Sequence, residues 1–479
     1  MSLMKKKLVK IAFYICFLLL LVCHAILWIL HKNYLPAFGP FIVKLHNQVI
    51  TSFAIEIFIV LIFTAIVLLL KNPPKILIRL SIAGFVFLVT LFVYRTTVLL
   101  MNYHVKPVGD MVYFPELAQA FINKTLFLTN PSSTRDLTYF NGNWYVAFPP
   151  LAAILMLPSV VRSGVESIDP VSFSTFWGAL GIAWFWLGLD GLRQKEIVKM
   201  GSGFTFCLTA LLGFGSAFYY ITISSQIWFI SHVLAVTFCC LAFWLAVDTG
   251  RPVLVGLALA IGMLARPTIG ITAIFFIGIL AAKNKTVKQN LKSLLLAAAE
   301  MAIPMAVIAV SLLAYNYLRF QNWLDFGYTT MNVGDALKAN LIDNGQFNIN
   351  YFQKDFFYTF LAAPSFSKNC PYLIPSYQGM SLFLTMPVLF LLFLTFSKRE
   401  WVIAADASIV LSLSTLLVYF NTGAPQFGNR FSLDYIVPLI AIFVVAAEKK
   451  KYSWLIKSLI ILGIIINTLG TFGYFGKLC

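Results

Sequence analysis

The sequence predicts an all-α fold: a polytopic bundle of about 13 transmembrane helices, with juxtamembrane amphipathic helices in its first large outer loop. Three observations carry this. Of 479 residues, 60% are hydrophobic, only 11% are charged and 45 are Phe, whereas a soluble globular protein carries about 25% charged residues. Apolar runs of about 20 residues recur along the chain, long enough to cross hydrocarbon as helices that satisfy their own backbone groups. Lys and Arg collect between alternate runs, as expected of cytoplasmic connections. A water-soluble enzyme with one buried core is excluded.

The predicted spans lie near 11–30, 51–70, 79–100, 171–190, 203–221, 230–248, 252–265, 268–283, 293–315, 378–396, 401–420, 431–447 and 454–474. With a cytoplasmic N-terminus, the inside pieces hold 20 Lys and Arg in 55 residues, while the outer stretch 101–170 holds only Lys106, Lys124, Arg135 and Arg162. Arg266-Pro267 separates the seventh run from the eighth. Merging them would carry Lys283, Lys285, Lys288 and Lys292 outside, so they are read as two spans. The formal charge of +17 thus reflects topology, and no nucleic acid partner is implied. MSLMKKKLVK ahead of the first run resembles a signal peptide, but no small-residue cleavage site follows, so it reads as an uncleaved anchor. The chain is expected in the plasma (inner) membrane with its catalytic loops extracytoplasmic. Its regions are N-terminal helices 1–78, a catalytic membrane module 79–315 that includes outer loop 101–170, an outer loop 316–377, and C-terminal helices 378–479.

The two outer segments are rich in Phe, Tyr, Trp and Pro, which argues for order, and they hold nine of the 18 acidic residues. Chemistry is therefore expected on the outer side. In MVYFPELAQAFINKTLFL, Pro115 suits a helix start, Glu116 falls in the first turn, and Leu117, Phe121 and Ile122 fall along one side of a surface helix. FPPLAAILMLPSVV, bounded by prolines, reads as a second surface or re-entrant helix. Asp110 precedes the first of these, where a carboxylate near apolar walls can act as a general base or simply cap the helix.

Arg266 interrupts an apolar run, and a charge there faces a partner or a cavity; a guanidinium grips phosphate oxygens or snorkels to headgroups. Arg430 enters from the same face, with Asp434 four residues on as its expected ion-pair partner. His232, Tyr113 and Asp434 are candidate substrate-binding residues. Glu56, Glu300 and Asp406 lie in helices with no partner evident in sequence. The seven cysteines give neither a disulfide framework nor metal spacing, and a Cys370–Cys479 bridge stays open. No P-loop, no GxGxxG after a strand and no zinc motif is present, so any donor has to reach the outer leaflet itself. No cofactor is expected; a divalent metal stays open.

Taken in order, GDMVYFPELAQAFINKTLFL, YFNGNWYVAFPPLAAILMLP, ARPT, YNYLRFQNWLDFGY and QFGNRFSLDYIVP resemble bacterial members of the GT-C glycosyltransferase superfamily. The nearest groups are protein O-mannosyltransferase-like and aminoarabinose-transferase-like enzymes, over residues 79–447. The resemblance implies a GT-C fold and a hexosyl- or pentosyltransferase of the cell envelope. Its donor would be a polyprenyl-phosphate sugar, its acceptor a lipid, glycan or protein, and membrane lipid its surroundings. It carries Asp110 over as catalytic acid or base, and Arg266 and Arg430 as donor-phosphate ligands; Glu116 is the second candidate catalytic residue, or a first-turn charge favoured by the helix dipole. The sequence departs from the family in the spacing of Asp110 and Glu116 and in ITISSQIWFISH, which lacks an acid. A transporter or flippase for a lipid-linked or small polar substrate is the alternative, although such proteins place their polar residues near the midplane.

Overall fold

The computed structural model describes residues 54–101, 113–284 and 290–475, apart from Pro371. The expected first span, Asp110 and Cys479 lie outside the described residues. The chain divides into two compact units between residues 103 and 104.

In the first unit, α1 (Ala54–Leu69) and α2 (Lys75–Leu100) form an apolar hairpin. Pro74, extended at φ −52° and ψ 143°, starts α2, and its ring suits the position just before a first turn. Glu56, for which the sequence offered no partner, lies 3.9 Å from Arg95 across the hairpin. Ser81 and Thr97 donate to carbonyls one turn back in α2, so neither hydroxyl is left bare in an apolar setting.

The second unit is a helical bundle with two short hairpins. Its first part comprises α3 (Phe114–Ile122), β1 (Leu137–Phe140), β2 (Asn143–Val146) and α4 (Leu151–Ser163), and then long α5 (Pro170–Gln194). Asp169 caps α5 by accepting from the Val171 and Ser172 amides, with Pro170 at the first helical position, both favoured starts. Next come α6 (Ser202–Phe214) and α7 (Ala217–Ser224), bent 50° from one another, and α8 (Ile227–Asp248), buried on nearly all sides. α9 (Pro252–Met263), α10 (Ala273–Lys283) and α11 (Leu291–Phe320) follow. The second outer segment contributes α12 (Asp335–Asn344), α13 (Phe352–Phe356), β3 (Ser365–Phe366) and β4 (Leu373–Ile374). The chain closes with α14 (Leu382–Thr385), α15 (Glu400–Leu416), α16 (Ile436–Ala441), α17 (Phe443–Glu448) and α18 (Ser453–Tyr474).

Among the described residues five helices, α2, α5, α8, α11 and α18, are each long and apolar enough to cross a membrane, and α6 with α7 makes a sixth as a bent pair. Among the described residues the other expected spans are shorter or broken, and two of the breaks fall at prolines. Proline removes an amide donor and pushes the residue before it out of the helical region. So α9 ends at Met263, Arg266 is extended (φ −149°, ψ 109°), and Pro267–Thr272 winds as a tight 3₁₀ turn before α10. Met386-Pro387 likewise divides the run expected at 378–396. There Asn467 of α18 donates to the Thr385 carbonyl at 2.7 Å, supplying a partner that the break would otherwise deny to a buried acceptor.

Packing concentrates on α5 against α8, α8 against α9, α9 against α11, and α10 against α15. Gly256 lets α9 approach α11 so closely that a Cβ there would meet the Met301 carbonyl group. This is the close backbone approach that small residues permit between membrane helices. On α3 the buried side is Phe114, Leu117 and Ala118, packed on α4, while Ile122 is 38% exposed. The expected Leu117–Phe121–Ile122 stripe is therefore divided between protein and surroundings.

The β1–β2 hairpin was not anticipated. Asn141 and Gly142 both have positive φ, 45° and 81°, as a type I′ turn demands, and Leu137 pairs with Val146 and Phe140 with Asn143. This hairpin ties the first outer segment to the second: Asp136 donates to the Asn332 carbonyl at 2.9 Å, and Asn332 donates to the Leu137 carbonyl at 2.8 Å. The Thr138 hydroxyl donates to the Gly327 carbonyl at 2.6 Å, fully buried.

Candidate functional site

Two unwound segments bring the two arginines to one cavity. Arg266 stands on the extended residue before Pro267. Arg430 opens the 3₁₀ turn Arg430–Asp434, which Asn429 caps by accepting from the Phe431 and Ser432 amides. Asn429 is itself fixed by donating to Thr359 at 2.9 Å.

Asp434 does not pair with Arg430 as expected. In a 3₁₀ turn each residue advances about 120°, so residues three apart eclipse and residues four apart diverge; an i,i+4 pair needs an α-helix. Asp434 turns instead to Arg266, accepting from Nε on one oxygen and from Nη2 on the other, both at 2.8 Å, and it accepts from Thr268 at 2.7 Å. This two-pronged fork is the strong form of a guanidinium–carboxylate pair. His232 lies behind it, 1% exposed, with Nδ1 3.7 Å from Asp434, too far for a hydrogen bond.

Arg430 is left differently. Its side chain is 5% exposed, its Nε and Nη1 make no hydrogen bond among the described residues, and Trp228, Phe229 and Phe431 stand 5.2–5.6 Å from its guanidinium carbon. Ring faces attract a cation but do not replace hydrogen-bond acceptors. A buried charge without acceptors is costly, and an anion brought to it would supply them.

Both arginines line one cavity of about 150 Å³, together with Asp136, Tyr328, Tyr419 and Trp228. The first outer segment, the second outer segment and the membrane helices all contribute walls. Asp136 is half-buried, and burial holds its carboxyl above the usual carboxylate range, with Arg135 and then Arg430 pulling it back. A smaller cavity of about 10 Å³, room for one water, shares Asn421 and Phe431 with the first. It is lined by Asp355, 4% exposed, whose two oxygens have no hydrogen-bond partner. Burial pushes the Asp355 carboxyl up to about 7, with Lys354 opposing.

Of the residues singled out from sequence, Arg266 and Arg430 thus meet at the cavity, while Asp110 lies outside the described residues. Glu116, Tyr113, His232 and Asp434 do not line the cavity. Glu116 accepts from Ser132 at 2.7 Å. Tyr113 is fully buried and donates to the Arg135 carbonyl at 2.6 Å, so it fixes the backbone beside Asp136. Asp136, Tyr328, Tyr419 and Asp355 escaped the sequence reading. Only Asp136 had a local signal, as an acid placed directly before the Asn-Gly hairpin. Among the described residues no three His, Cys, Asp or Glu side chains gather as a metal site. Cys370 is disulfide-bonded, and its proposed partner Cys479 is outside the described residues.

No family model matches the chain, and no curated protein matches it. Among solved structures the chain is similar to the apo crystal structure of the Archaeoglobus fulgidus oligosaccharyltransferase, at 12% sequence identity and a TM-score of 0.43. The likeness covers 83% of this chain, which spans 56% of the length of that one.

Proposed function

We propose that the chain is a membrane glycosyltransferase that takes a sugar from a polyprenyl-phosphate-linked donor and passes it to an acceptor on the extracytoplasmic face. The observation that carries this is the Arg430 guanidinium, buried and without hydrogen-bond acceptors, on a cavity walled by the outer segments. An anionic group fits there, and a lipid-linked phosphate can arrive through the apolar helices. Arg430 and Arg266 bind the phosphate and stabilise the charge that grows on it as the sugar–oxygen bond breaks; stabilising developing charge in a water-poor site is commonly the largest catalytic contribution. Asp110 takes the proton of the acceptor hydroxyl as that oxygen attacks the anomeric carbon. Thr268 and Asp434 hold Arg266 in position.

The test is transfer of labelled sugar from synthetic polyprenyl-phosphate donors to a membrane extract by the purified protein. Arg430→Gln is expected to lower turnover roughly 100- to 1000-fold, the loss seen when one such donor is removed, and Asp110→Asn is expected to abolish it. Full transfer by a correctly folded Asp110→Asn protein removes Asp110 from the mechanism. Labelled lipid crossing reconstituted vesicles without product would replace the enzyme reading with a transporter.

A further inference from the structure

Two acids stand near the paired arginines, and the fold treats them oppositely. Asp434 is locked into the Arg266 fork. Asp136 is held only through its backbone: its amide donates to Asn332, the preceding carbonyl accepts from Tyr113, and β1 begins at the next residue. Its φ is +60°, a left-handed conformation that Asp tolerates better than most residues and that persists only where the surroundings impose it. The carboxylate so placed lines the arginine cavity and makes no hydrogen bond or ion pair among the described residues.

We propose that Asp136 is the charge that opposes anion binding in this cavity, so that a phosphate settling on Arg430 draws a proton from solvent onto Asp136. The proposal rests on the reading of the cavity as the donor-phosphate site. The charged and titratable groups around Asp136 are Arg135 on its own segment, Tyr113, and Arg430, Arg266, Tyr328 and Tyr419, which line the same cavity. Arginines stay charged and tyrosines neutral through the mildly acidic range, so among the described residues that line this cavity Asp136 is the group that changes charge there. Arg430 now holds the Asp136 carboxyl down against burial. An anion on Arg430 cancels that help and adds a like charge, so both changes favour protonated Asp136. By reciprocity, protonated Asp136 tightens anion binding. In the proposed reaction the departing phosphate monoester carries about −1.5 to −2 charge, more than the diester donor, and ionised Asp136 repels it more strongly. Asp136 thereby favours donor over product.

The test is calorimetric binding of dibutyl phosphate, a diester whose single charge is constant from about pH 4 to about pH 8, to the full chain in detergent. Wild type is expected to bind roughly tenfold tighter at the acid end, with proton uptake revealed by buffers of different ionisation enthalpy. Asp136→Asn keeps a residue that accepts the left-handed backbone; it should bind roughly tenfold tighter than wild type near pH 8, with a weaker pH dependence and less proton uptake than wild type. Glu166→Gln, which removes an exposed charge elsewhere in the same segment, should behave as wild type. Unchanged or weakened binding by Asp136→Asn overturns the proposal while leaving the phosphate site standing. If Arg430→Gln binds as wild type does, or if wild type does not bind, the phosphate-site reading itself fails and this proposal with it.

Discussion

Asp355 and Arg430 are buried charges of opposite sign, each without hydrogen-bond partners, on cavities that share Asn421 and Phe431. Their consequences differ because a carboxylate can discharge itself and a guanidinium cannot. Asp355 titrates at about 7 in the folded chain, against an unfolded value near 3.9. Between those values the folded state holds more protons than the unfolded one, so stability falls as pH rises from about 4 to about 7 and is level above. Asp355→Asn, measured as melting temperature against pH in detergent, is expected to erase that fall and to melt higher than wild type at pH 8. Parallel profiles for the two proteins would refute it. Arg430 has no such escape, and its isolation persists at every pH. Much of this was legible locally: Arg266 before a proline and Arg430 directly after an asparagine, a favoured capping residue, are both visible in sequence. The exchange of partners was not, because Arg266 and Asp434 are separated by 168 residues and no local pattern encodes that meeting.

The hairpin β1–β2 shows how an element can be written plainly and still be passed over. Asn-Gly between two aromatic, β-branched stretches is a strong short-range turn signal, yet it falls between the two expected surface helices of an ordered outer segment, where no element was assigned. Its role is visible only with the segment it meets, since the backbone bonds from Asp136 and Leu137 run to Asn332 in the other outer segment. Those bonds make one wall of the cavity from two pieces. The buried Thr138 hydroxyl joins them through Gly327, and Thr138→Val keeps the shape while removing the donor. It is expected to cost about 1–3 kcal/mol by leaving a buried carbonyl unsatisfied, and to raise hydrogen exchange at Asp136 and Asn332 together. Faster exchange at one amide alone would show that the two segments open independently.

Across the whole molecule the predicted class, helical and apolar with ordered outer segments, follows from composition and charge alone. The number of helices that span by themselves does not, because hydropathy counts apolar residues and is blind to whether Pro267 or Pro387 lets them share one helix. Gly256 belongs to this scale, since it sets how closely α9 and α11 approach. A side chain there meets backbone that cannot swing away, so Gly256→Val is expected to reach the upper part of the about 1–3 kcal/mol that overpacking costs, read as a lower melting temperature in detergent. A melting temperature equal to wild type would mean that the two helices separate readily.

The Arg266–Asp434 fork also has a history in time. At roughly 5–20 residues per second, a nascent chain offers Arg266 its carboxylate roughly 8–34 s after Arg266 itself leaves the ribosome, given their separation of 168 residues. Until then the arginine has to be tolerated by lipid headgroups or by the insertion machinery, at a cost of about 2.5–3.5 kcal/mol if it sits near the membrane centre. The last stretch of translation therefore decides whether that charge ever finds its place, and a chain released before residue 434 leaves the insertion machinery holding a guanidinium with nowhere to go.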